Sequence, residues 1–292
     1  MQKDSSAILT YRLSSVGFDW TIHAHVPANV RRGAPLVVVL HGAMGSGDGY
    51  LTKNRWIEES DANGFVAIAP DGLPARPRLR PQAKLNPRLW NSGELNVSSP
   101  RSRVDDVEFL KEMIEDAVTR FGADPKRVFM TGHSNGAGMT FVFAHGHPEM
   151  LAAIAPALGQ NLTSVAPLKN GVPTLYLLGT ADPLNPIEGG TRHLLWGNAQ
   201  QVPPIQQSID DWKQALGIND HPTVVRDDES VKAMLYPPGM NHATFEVRFL
   251  KGQGHGWPGG QASGLPESLI GPSLGKIDAT HEIWTYFARF MK

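Results

Sequence analysis

Two stretches of the chain place a serine between glycines in the spacing of a nucleophile. The pattern Gly-x-Ser-x-Gly occurs at residues 132–136 and again at residues 271–275. A nucleophilic serine needs a sharp strand-to-helix turn, and a side chain at either glycine would clash there. Taken alone, each copy fits a glycine-rich turn without chemistry equally well. Only Ser134 stands between an apolar run and a helical pattern, over 135–145, so we predict Ser134 as the nucleophile and interpret Ser273 as part of a turn.

A serine hydroxyl needs an adjacent base, and that base needs a third group that orients it. On this kind of turn the partners follow in the order Ser, Asp, His, and the chain offers Asp182 and His255 in that order. Asp182 follows the apolar run 174–179, and His255 lies in a glycine-bearing loop after the run 245–250. Sites in open α/β sheets gather at such strand ends. We predict a triad in which His255 is the base and Asp182 the orienting carboxylate, in preference to a simple Asx turn at Asp182.

Acyl transfer through a serine also requires donors for the negative charge that develops on the carbonyl oxygen. The residue after the nucleophile supplies one N–H, here that of Asn135. The loop after an early strand supplies the other, and His41 opens such a loop after the apolar run 36–40, which points to Ala43. A phosphate-binding loop is the alternative, but residues 42–49 lack the Gly-Lys-Ser/Thr ending of a P-loop.

Three side chains near these residues are candidates for contact with a substrate. Trp90 and Trp257 flank the predicted cleft, and His133 precedes the nucleophile. Indole rings stack on aromatic or sugar rings, although ordinary packing accounts for most single tryptophans. We predict all three as substrate-binding residues, and Trp257 is the best placed because it is two residues from His255.

Histidines elsewhere in the chain predict no metal site. His23 and His25 alternate with apolar residues on a strand pattern and could bind a metal together. No carboxylate cluster accompanies them in the sequence, so we interpret them as the solvated face of that strand. The proposed ester chemistry itself requires no cofactor.

The elements that would position these residues alternate between strands and helices. The period of two at 20–26 predicts a half-buried strand, paired antiparallel with residues 8–13. Val107 to Phe121 carries one apolar stripe, which predicts a helix, and Ser102 with Asp105 fits its capping box. Further apolar runs suit parallel strands covered on both faces; they are 36–40, 65–69, 128–130, 151–155 and 174–178. Together these patterns predict an α/β fold with a mostly parallel central sheet and helices on both faces.

We expect one domain over residues 1–292, because a chain of this length with 41% hydrophobic residues can bury a single large core. Two long segments, 71–103 and 182–204, lack periodicity and are typical of functional loops. Only a short connection joins the runs 151–155 and 174–178, so we predict no large helical cap and an open cleft that favours bulky or polymeric substrates. We interpret the arginines of the first loop as a solvated rim, with binding of an anionic substrate as the alternative; they are Arg76, Arg78, Arg80, Arg88, Arg101 and Arg103.

Composition excludes several classes of partner. The formal net charge is −1, and no basic excess favours nucleic acid or an anionic membrane surface. The chain has no cysteine, which removes disulfides and thiolate chemistry from consideration. Met1 to Ser6 lacks the apolar stretch of a signal peptide, and no run reaches transmembrane length. The compartment stays open, and a secreted or periplasmic location follows only if a signal peptide was removed.

Taken together, these segments resemble the polyhydroxyalkanoate depolymerase-like and feruloyl-esterase-like serine esterases, a branch of the α/β-hydrolases. The resemblance spans most of the chain and rests on six motifs: Leu40-His41-Gly42, Ala69-Pro70-Asp71-Gly72, Gly132-His133-Ser134-Asn135-Gly136-Ala137, Ala153-Ile154-Ala155-Pro156, Gly179-Thr180-Ala181-Asp182-Pro183 and Gly254-His255-Gly256-Trp257-Pro258-Gly259. It implies the α/β-hydrolase fold and ester hydrolysis through an acyl-enzyme. The implied substrates range from hydroxyalkanoate polyesters to feruloylated or acetylated plant polysaccharides. A serine peptidase of the same fold and a non-catalytic binding protein are the alternatives.

Overall fold

The computed structural model describes residues 8–163, 165–193, 199–239, 242–262 and 264–291. Met1 to Ser6, the polar segment that predicts no signal peptide, lies outside the described residues. So do residues 194–198 of the predicted loop 182–204.

The described strands form a ten-stranded sheet and a separate two-stranded hairpin. In chain order the strands are β1 (Leu9–Ser15), β2 (Phe18–His25), β3 (Leu36–Leu40), β4 (Val66–Pro70), β5 (Val128–His133), β6 (Ala153–Ala157), β7 (Thr174–Gly179), β8 (Gly190–His193), β9 (Ala199–Val202), β10 (Thr223–Asp227), β11 (Val231–Tyr236) and β12 (Phe245–Leu250). The helices are α1 (Gly47–Lys53), α2 (Trp56–Asn63), α3 (Asp106–Phe121), α4 (Asn135–Gly146), α5 (Ile205–Ala215), α6 (Glu267–Ile270) and α7 (Ala279–Phe287).

The centre of the main sheet is parallel and its edges are antiparallel. The order is β1-β2-β4-β3-β5-β6-β7-β12-β11-β10, and every pair from β4 to β12 in that order is parallel. Among the described strands, β8 and β9 pair with each other and lie outside the main sheet. This arrangement confirms the predicted α/β fold with a mostly parallel sheet.

Each face of the central strands packs against its own set of helices. Along β3 the alternate residues Val38 and Leu40 join the larger apolar cluster, which also holds side chains of α3, α4 and α5. Val37 and Val39 point the other way and join side chains of α1, α2 and α7. All five residues of β3 are fully buried. The continuous apolar run in the sequence therefore reflects a strand covered on both faces.

Strand β3 also marks the point where the chain reverses direction across the sheet. β4 follows β3 in sequence and pairs on one side of it, whereas β5 pairs on the other side. Ligand sites in open α/β sheets form outside the carboxyl ends of the strands at such a switch point. The loop after β3 and the turn after β5 meet there.

Two details of the predicted elements are wrong. The cap of α3 is Asp105 alone, whose side chain accepts a hydrogen bond from the Glu108 N–H, while Ser102 bonds within the preceding 3₁₀ turn. The hairpin β10–β11 at one edge of the sheet was not predicted, so the set of predicted strands is incomplete. All residues of β10 are exposed, and it therefore lacks the alternation of burial that identifies a strand in a sequence.

The loop between β4 and α3 is fixed to the core by one of its arginines. Arg101 is fully buried, and its Nη2 lies 2.6 Å from Oδ2 of Asp106 at the start of α3. The same nitrogen donates to the Leu89 carbonyl at 2.8 Å. Arg101 is therefore not part of a solvated rim as predicted, because its guanidinium satisfies backbone carbonyls that the folded loop buries.

The connection between β6 and β7 carries neither helix nor strand in its described part, which agrees with the prediction of no large cap. The chain leaves the sheet instead between β7 and α5, where it forms the hairpin β8–β9. In the part of the chain that the structure describes, no helix is both long and apolar enough to cross a membrane.

Candidate active site

Four strand ends bring the predicted site residues to one edge of the sheet. His41 follows β3, Ser134 follows β5, and Asp182 and His255 follow the neighbouring strands β7 and β12. The registers Leu40 to Gly132 and Leu250 to Gly179 keep these ends level. The structure thus brings together residues that lie far apart in the chain, since His41 and His255 both lie beside the turn at Ser134.

Ser134, His255 and Asp182 form a continuous chain of hydrogen bonds. The Ser134 Oγ lies 2.9 Å from His255 Nε2, and His255 Nδ1 lies 2.8 Å from Asp182 Oδ2. A carboxylate only accepts, so Nδ1 carries the proton and Nε2 presents its lone pair to the serine hydroxyl. This tautomer is the one that a general base needs.

The turn at Ser134 shows why both neighbouring positions are glycine. Ser134 has φ 56° and ψ −120°, a conformation that L side chains rarely adopt. A Cβ at Gly132 would lie 2.2 Å from the Gly136 carbonyl oxygen, and one at Gly136 would lie 2.5 Å from that of Leu40. The strained turn therefore exists only because the strand, the helix and the loop after β3 approach one another this closely.

Two backbone N–H groups beside the serine are candidates for binding an oxyanion. Within the described residues, the N–H groups of Ala43 and Asn135 make no hydrogen bond. A Cβ at Gly42 would lie 3.3 Å from the Ser134 Cβ, so the loop that carries Ala43 passes directly against the nucleophile turn. The two donors are thus available for a developing oxyanion.

Residues 41–46, between β3 and α1, hold Ala43 and form the oxyanion loop, named for its proposed role. Side chains hold this loop in place. His41 is fully buried, with Nδ1 donating to the Gly42 carbonyl at 2.7 Å and Nε2 accepting from the Gly72 N–H at 2.8 Å. The Trp90 indole donates to the His41 carbonyl at 2.8 Å. These bonds fix the backbone on either side of Gly42 and therefore the position of the neighbouring Ala43 N–H.

Asp182 is ionised and held by its own loop. Burial alone would raise its pKa, but the charge and hydrogen bond of His255 and the N–H groups of Asn185 and Leu184 lower it below the usual value. Those two N–H groups donate to Oδ1 at 2.9 and 2.8 Å. The Asx turn considered as an alternative is therefore present as well, and it leaves Oδ2 free to orient His255.

His133 contacts the backbone of His255. Its Nε2 donates to the His255 carbonyl at 2.7 Å, and its Nδ1 accepts from the Tyr50 hydroxyl at 2.5 Å. Burial, together with the neighbouring His255, lowers the pKa of His133 to about 3, so the ring is neutral. The Tyr50 link was not predicted, because nothing in the local sequence marks a tyrosine on the helix after the oxyanion loop.

The three residues predicted to contact a substrate differ in their exposure and hydrogen bonding. Trp90 has no exposed surface and braces the oxyanion loop, so the prediction that it stacks on a substrate is wrong. Trp257 is 5% exposed, and its indole donates to Thr280 Oγ1. His133 is 8% exposed and fully hydrogen-bonded. Contact of Trp257 or His133 with substrate stays a prediction.

A second polar network, which the sequence did not predict, runs from the turn at Ser134 to the loop that carries Asp182. The Asn135 side chain donates to Ser92 Oγ at 2.7 Å and to Glu94 Oε2 at 3.4 Å. Glu94 Oε1 pairs with Arg192 Nη2 at 3.0 Å. The other guanidinium nitrogen, Arg192 Nη1, reaches Asn185 Oδ1 at 3.3 Å. The hairpin β8–β9, which carries Arg192, is thereby tied to both halves of the site.

Two neutral buried histidines make stability depend on pH. Burial lowers the pKa of His41 from 6.5 to about 4, and the pKa of His133 lies lower still. Below pH 6.5 the unfolded chain binds protons that the folded protein excludes, so stability falls as pH falls from 6.5 towards 4. We expect the urea midpoint to decline over this window, and His41→Asn to decline less steeply from a lower starting value. Equal slopes for the two proteins in urea titrations would contradict the assignment.

The structure corrects the interpretation of His23 and His25 as a solvated face. His25 is fully buried and its Nε2 lies 2.8 Å from Asp61 Oδ1, while His23 is 8% exposed. Carboxylates accompany His23 after all, since Asp48 and Asp71 place their oxygens within 4.8 Å of its ring. Both acids come from elements that follow later in the chain and meet β2 only in the folded sheet.

Comparison with known proteins places this site in a family. Residues 22–201, which include Ser134 and Asp182 but not His255, match the dienelactone hydrolase family. A bifunctional acetylxylan esterase/xylanase of Neocallimastix patriciarum is 25% identical over 236 residues, which are 80% of this chain and 30% of that protein. A probable acetylxylan esterase A of Aspergillus fumigatus is 23% identical over 264 residues, which are 89% of this chain and 64% of that protein.

The chain therefore spans less than two thirds of the length of these two relatives. Among solved structures, the acetyl xylan esterase from Aspergillus awamori superposes with a TM-score of 0.63 at 16% identity. The superposition covers 96% of this chain and 99% of that one. At this identity the likeness shows the fold alone.

Proposed function

The chain belongs to the dienelactone hydrolase family of the α/β-hydrolases, and from that membership we propose that it is a serine esterase acting on acetylated polysaccharides such as xylan. The observation that carries the proposal is the unbroken line of hydrogen bonds from Ser134 through His255 to Asp182. The acetylxylan esterases among its relatives support the choice of substrate.

In the proposed reaction the hydroxyl of Ser134 attacks the ester carbonyl while His255 Nε2 takes its proton. The tetrahedral intermediate collapses as the imidazolium gives that proton to the departing sugar oxygen, and the acetyl group stays on Ser134. Water then attacks the acyl-enzyme with the same help and releases acetate. Asp182 stabilises the imidazolium in both steps without taking a proton.

The N–H groups of Ala43 and Asn135 are the proposed donors to the oxyanion. Their hydrogen bonds to the substrate strengthen when negative charge develops on the carbonyl oxygen. They need no reorganisation, because His41 and Trp90 already fix the loop. Preorganised donors of this kind lower the barrier rather than merely strengthening binding of the ground state.

The connection between β6 and β7 supports a polymeric substrate. The described part of the connection between β6 and β7 adds no helix over the site. A linear chain of sugars can therefore lie across the carboxyl edge of the sheet, with one acetylated hydroxyl presented to Ser134.

A panel of esters tests this function. We expect release of acetate from acetylated xylan and turnover of para-nitrophenyl acetate. The kcat/KM for short acyl esters should exceed that for methyl ferulate and for a hydroxybutyrate oligomer by about tenfold or more, the discrimination that a fitted pocket gives. Absorbance measures the release of para-nitrophenol, and chromatography measures the products of the other esters.

The same panel separates the alternatives. Preference for the hydroxybutyrate oligomer would move the substrate class to polyesters while leaving the serine chemistry in place. Turnover of an aminoacyl anilide in preference to every ester would favour a peptidase. Inertness towards all of them would contradict the enzymatic proposal and favour a binding protein.

A further inference from the structure

A second cluster of polar side chains lies behind the oxyanion loop, where the start of α1 meets β2 and the end of β4. His23 on β2, Asp48 on α1 and Asp71 after β4 offer ligand atoms that all lie within 4.8 Å of one another. None of the three takes part in the proposed ester hydrolysis. The approach is close because Gly47 has no side chain, and a Cβ there would lie 2.1 Å from the Ala69 carbonyl oxygen.

The imidazole of His23 is oriented as a ligand. The side chain is 10% exposed, and its Nδ1 lies 3.0 Å from the Thr10 hydroxyl oxygen. Among the described residues its buried Nε2 has no hydrogen-bond partner, and Asp71 Oδ1 is 3.5 Å away. If Nδ1 donates to Thr10, Nε2 presents a lone pair to the carboxylates. A histidine that binds a metal typically uses its other nitrogen in this way.

The carboxylates can accept positive charge despite a neighbouring arginine. Arg88 Nη2 lies 3.0 Å from Asp71 Oδ2, whereas His23 Nε2 lies 3.5 Å from the other oxygen, Oδ1. Asp71 Oδ1 accepts one hydrogen bond, from the Gly47 N–H at 2.8 Å, and keeps a second lone pair. Within the described residues, the exposed carboxylate of Asp48 has no hydrogen-bond partner.

We propose that His23, Asp48 and Asp71 bind one divalent cation of the zinc type, with solvent as the remaining ligand. One imidazole and two carboxylates form a donor set that suits Zn²⁺. Two ligands on one such ion lie at most about 4 Å apart, so the site closes with a small movement. Asp48 can supply that movement because it is exposed and unrestrained. The bound ion joins three elements at the base of the oxyanion loop and so stabilises the fold.

Zinc titration of the full chain tests the proposal without measuring activity. Protein treated with EDTA and dialysed would be titrated with ZnCl₂ in a calorimeter and melted in parallel. We expect one ion per chain and a rise in Tm of about 4 °C when free zinc exceeds its Kd a hundredfold. Asp48→Asn changes an exposed residue and should fold, and it should weaken binding at least about tenfold.

The matched control is Asp61→Asn, which alters the carboxylate beside the neighbouring His25 and should bind zinc as the wild type does. His23→Gln, like Asp48→Asn, should bind zinc more weakly than the wild type. Absence of saturable binding in the wild type would overturn the proposal. Equal affinity of the wild type and Asp48→Asn would also overturn it, because the ion would then lie elsewhere, for example on His255.

Discussion

Replacing Ser134 with alanine is expected to lower kcat for para-nitrophenyl acetate by about 10⁴- to 10⁶-fold. Loss of the attacking oxygen leaves only binding and the two oxyanion donors, which retain a small rate over water. The alanine should keep the backbone of the turn, because the surrounding contacts already hold this position at φ 56°. Steady-state rates and circular dichroism of the variant measure the loss of activity and the retention of the fold.

The second copy of the motif provides a matched control. Ser273→Ala makes the same chemical change in the same pattern of glycines, in the loop after α6. It should leave kcat and KM unchanged. Equal activity of Ser134→Ala and the wild type would show that another residue is the nucleophile.

Replacing Asp182 with asparagine is expected to lower kcat by about 10⁴-fold. The amide can still accept from the N–H groups of Leu184 and Asn185, so the loop should keep its shape. Its NH₂ group, however, would face His255 Nδ1 and favour the tautomer with the proton on Nε2. That ring could no longer accept the proton of Ser134.

Asp228→Asn is the control for a lost carboxylate. Asp228 also has a lowered pKa, about 2, through its hydrogen bond with Arg226, but it lies in the turn between β10 and β11. Its replacement should leave kcat unchanged. A comparable loss in both variants, or a loss below about tenfold in Asp182→Asn, would contradict the assigned role of Asp182.

The fold, and the meeting of Ser134, His255 and Asp182 at one edge of the sheet, could be predicted from the sequence because each signal is local. Apolar runs mark the central strands, since those strands are buried on both faces. The turn at Ser134 requires glycine at residues 132 and 136, because a Cβ cannot fit at either position. The order of Asp182 and His255 then follows from the strand ends. The resemblance to α/β-hydrolase esterases is confirmed at the same level, by the family match and the acetylxylan esterase relatives.

Features that depend on contacts across the fold were not predictable in this way. Trp90 lies within the long loop 71–103, and only the packed structure shows that its indole bonds to the His41 carbonyl. Glu94 and Arg192 are 98 positions apart, and no local pattern links them. Exposed strands such as β10 show no periodicity, because neither of their faces enters the core.

His23 illustrates the same limit for charged groups. The sequence places it on an alternating strand, where a polar residue normally faces water. Burial follows instead from α1, which crosses that end of β2 and brings Asp48 with it. The cluster combines one imidazole and two carboxylates from three separate segments, so no single segment of the sequence predicts it.

The central claim is that Ser134 is a nucleophile activated by His255 and Asp182, and covalent labelling tests it most directly. The wild-type protein would be incubated with diethyl para-nitrophenyl phosphate, which traps activated serines, and analysed by intact and peptide mass spectrometry. We expect one diethylphosphoryl group per chain, located on Ser134, absent from Ser134→Ala and formed much more slowly in Asp182→Asn. A wild-type protein that stays unlabelled, or that carries the group on Ser273 or another residue, would contradict the claim.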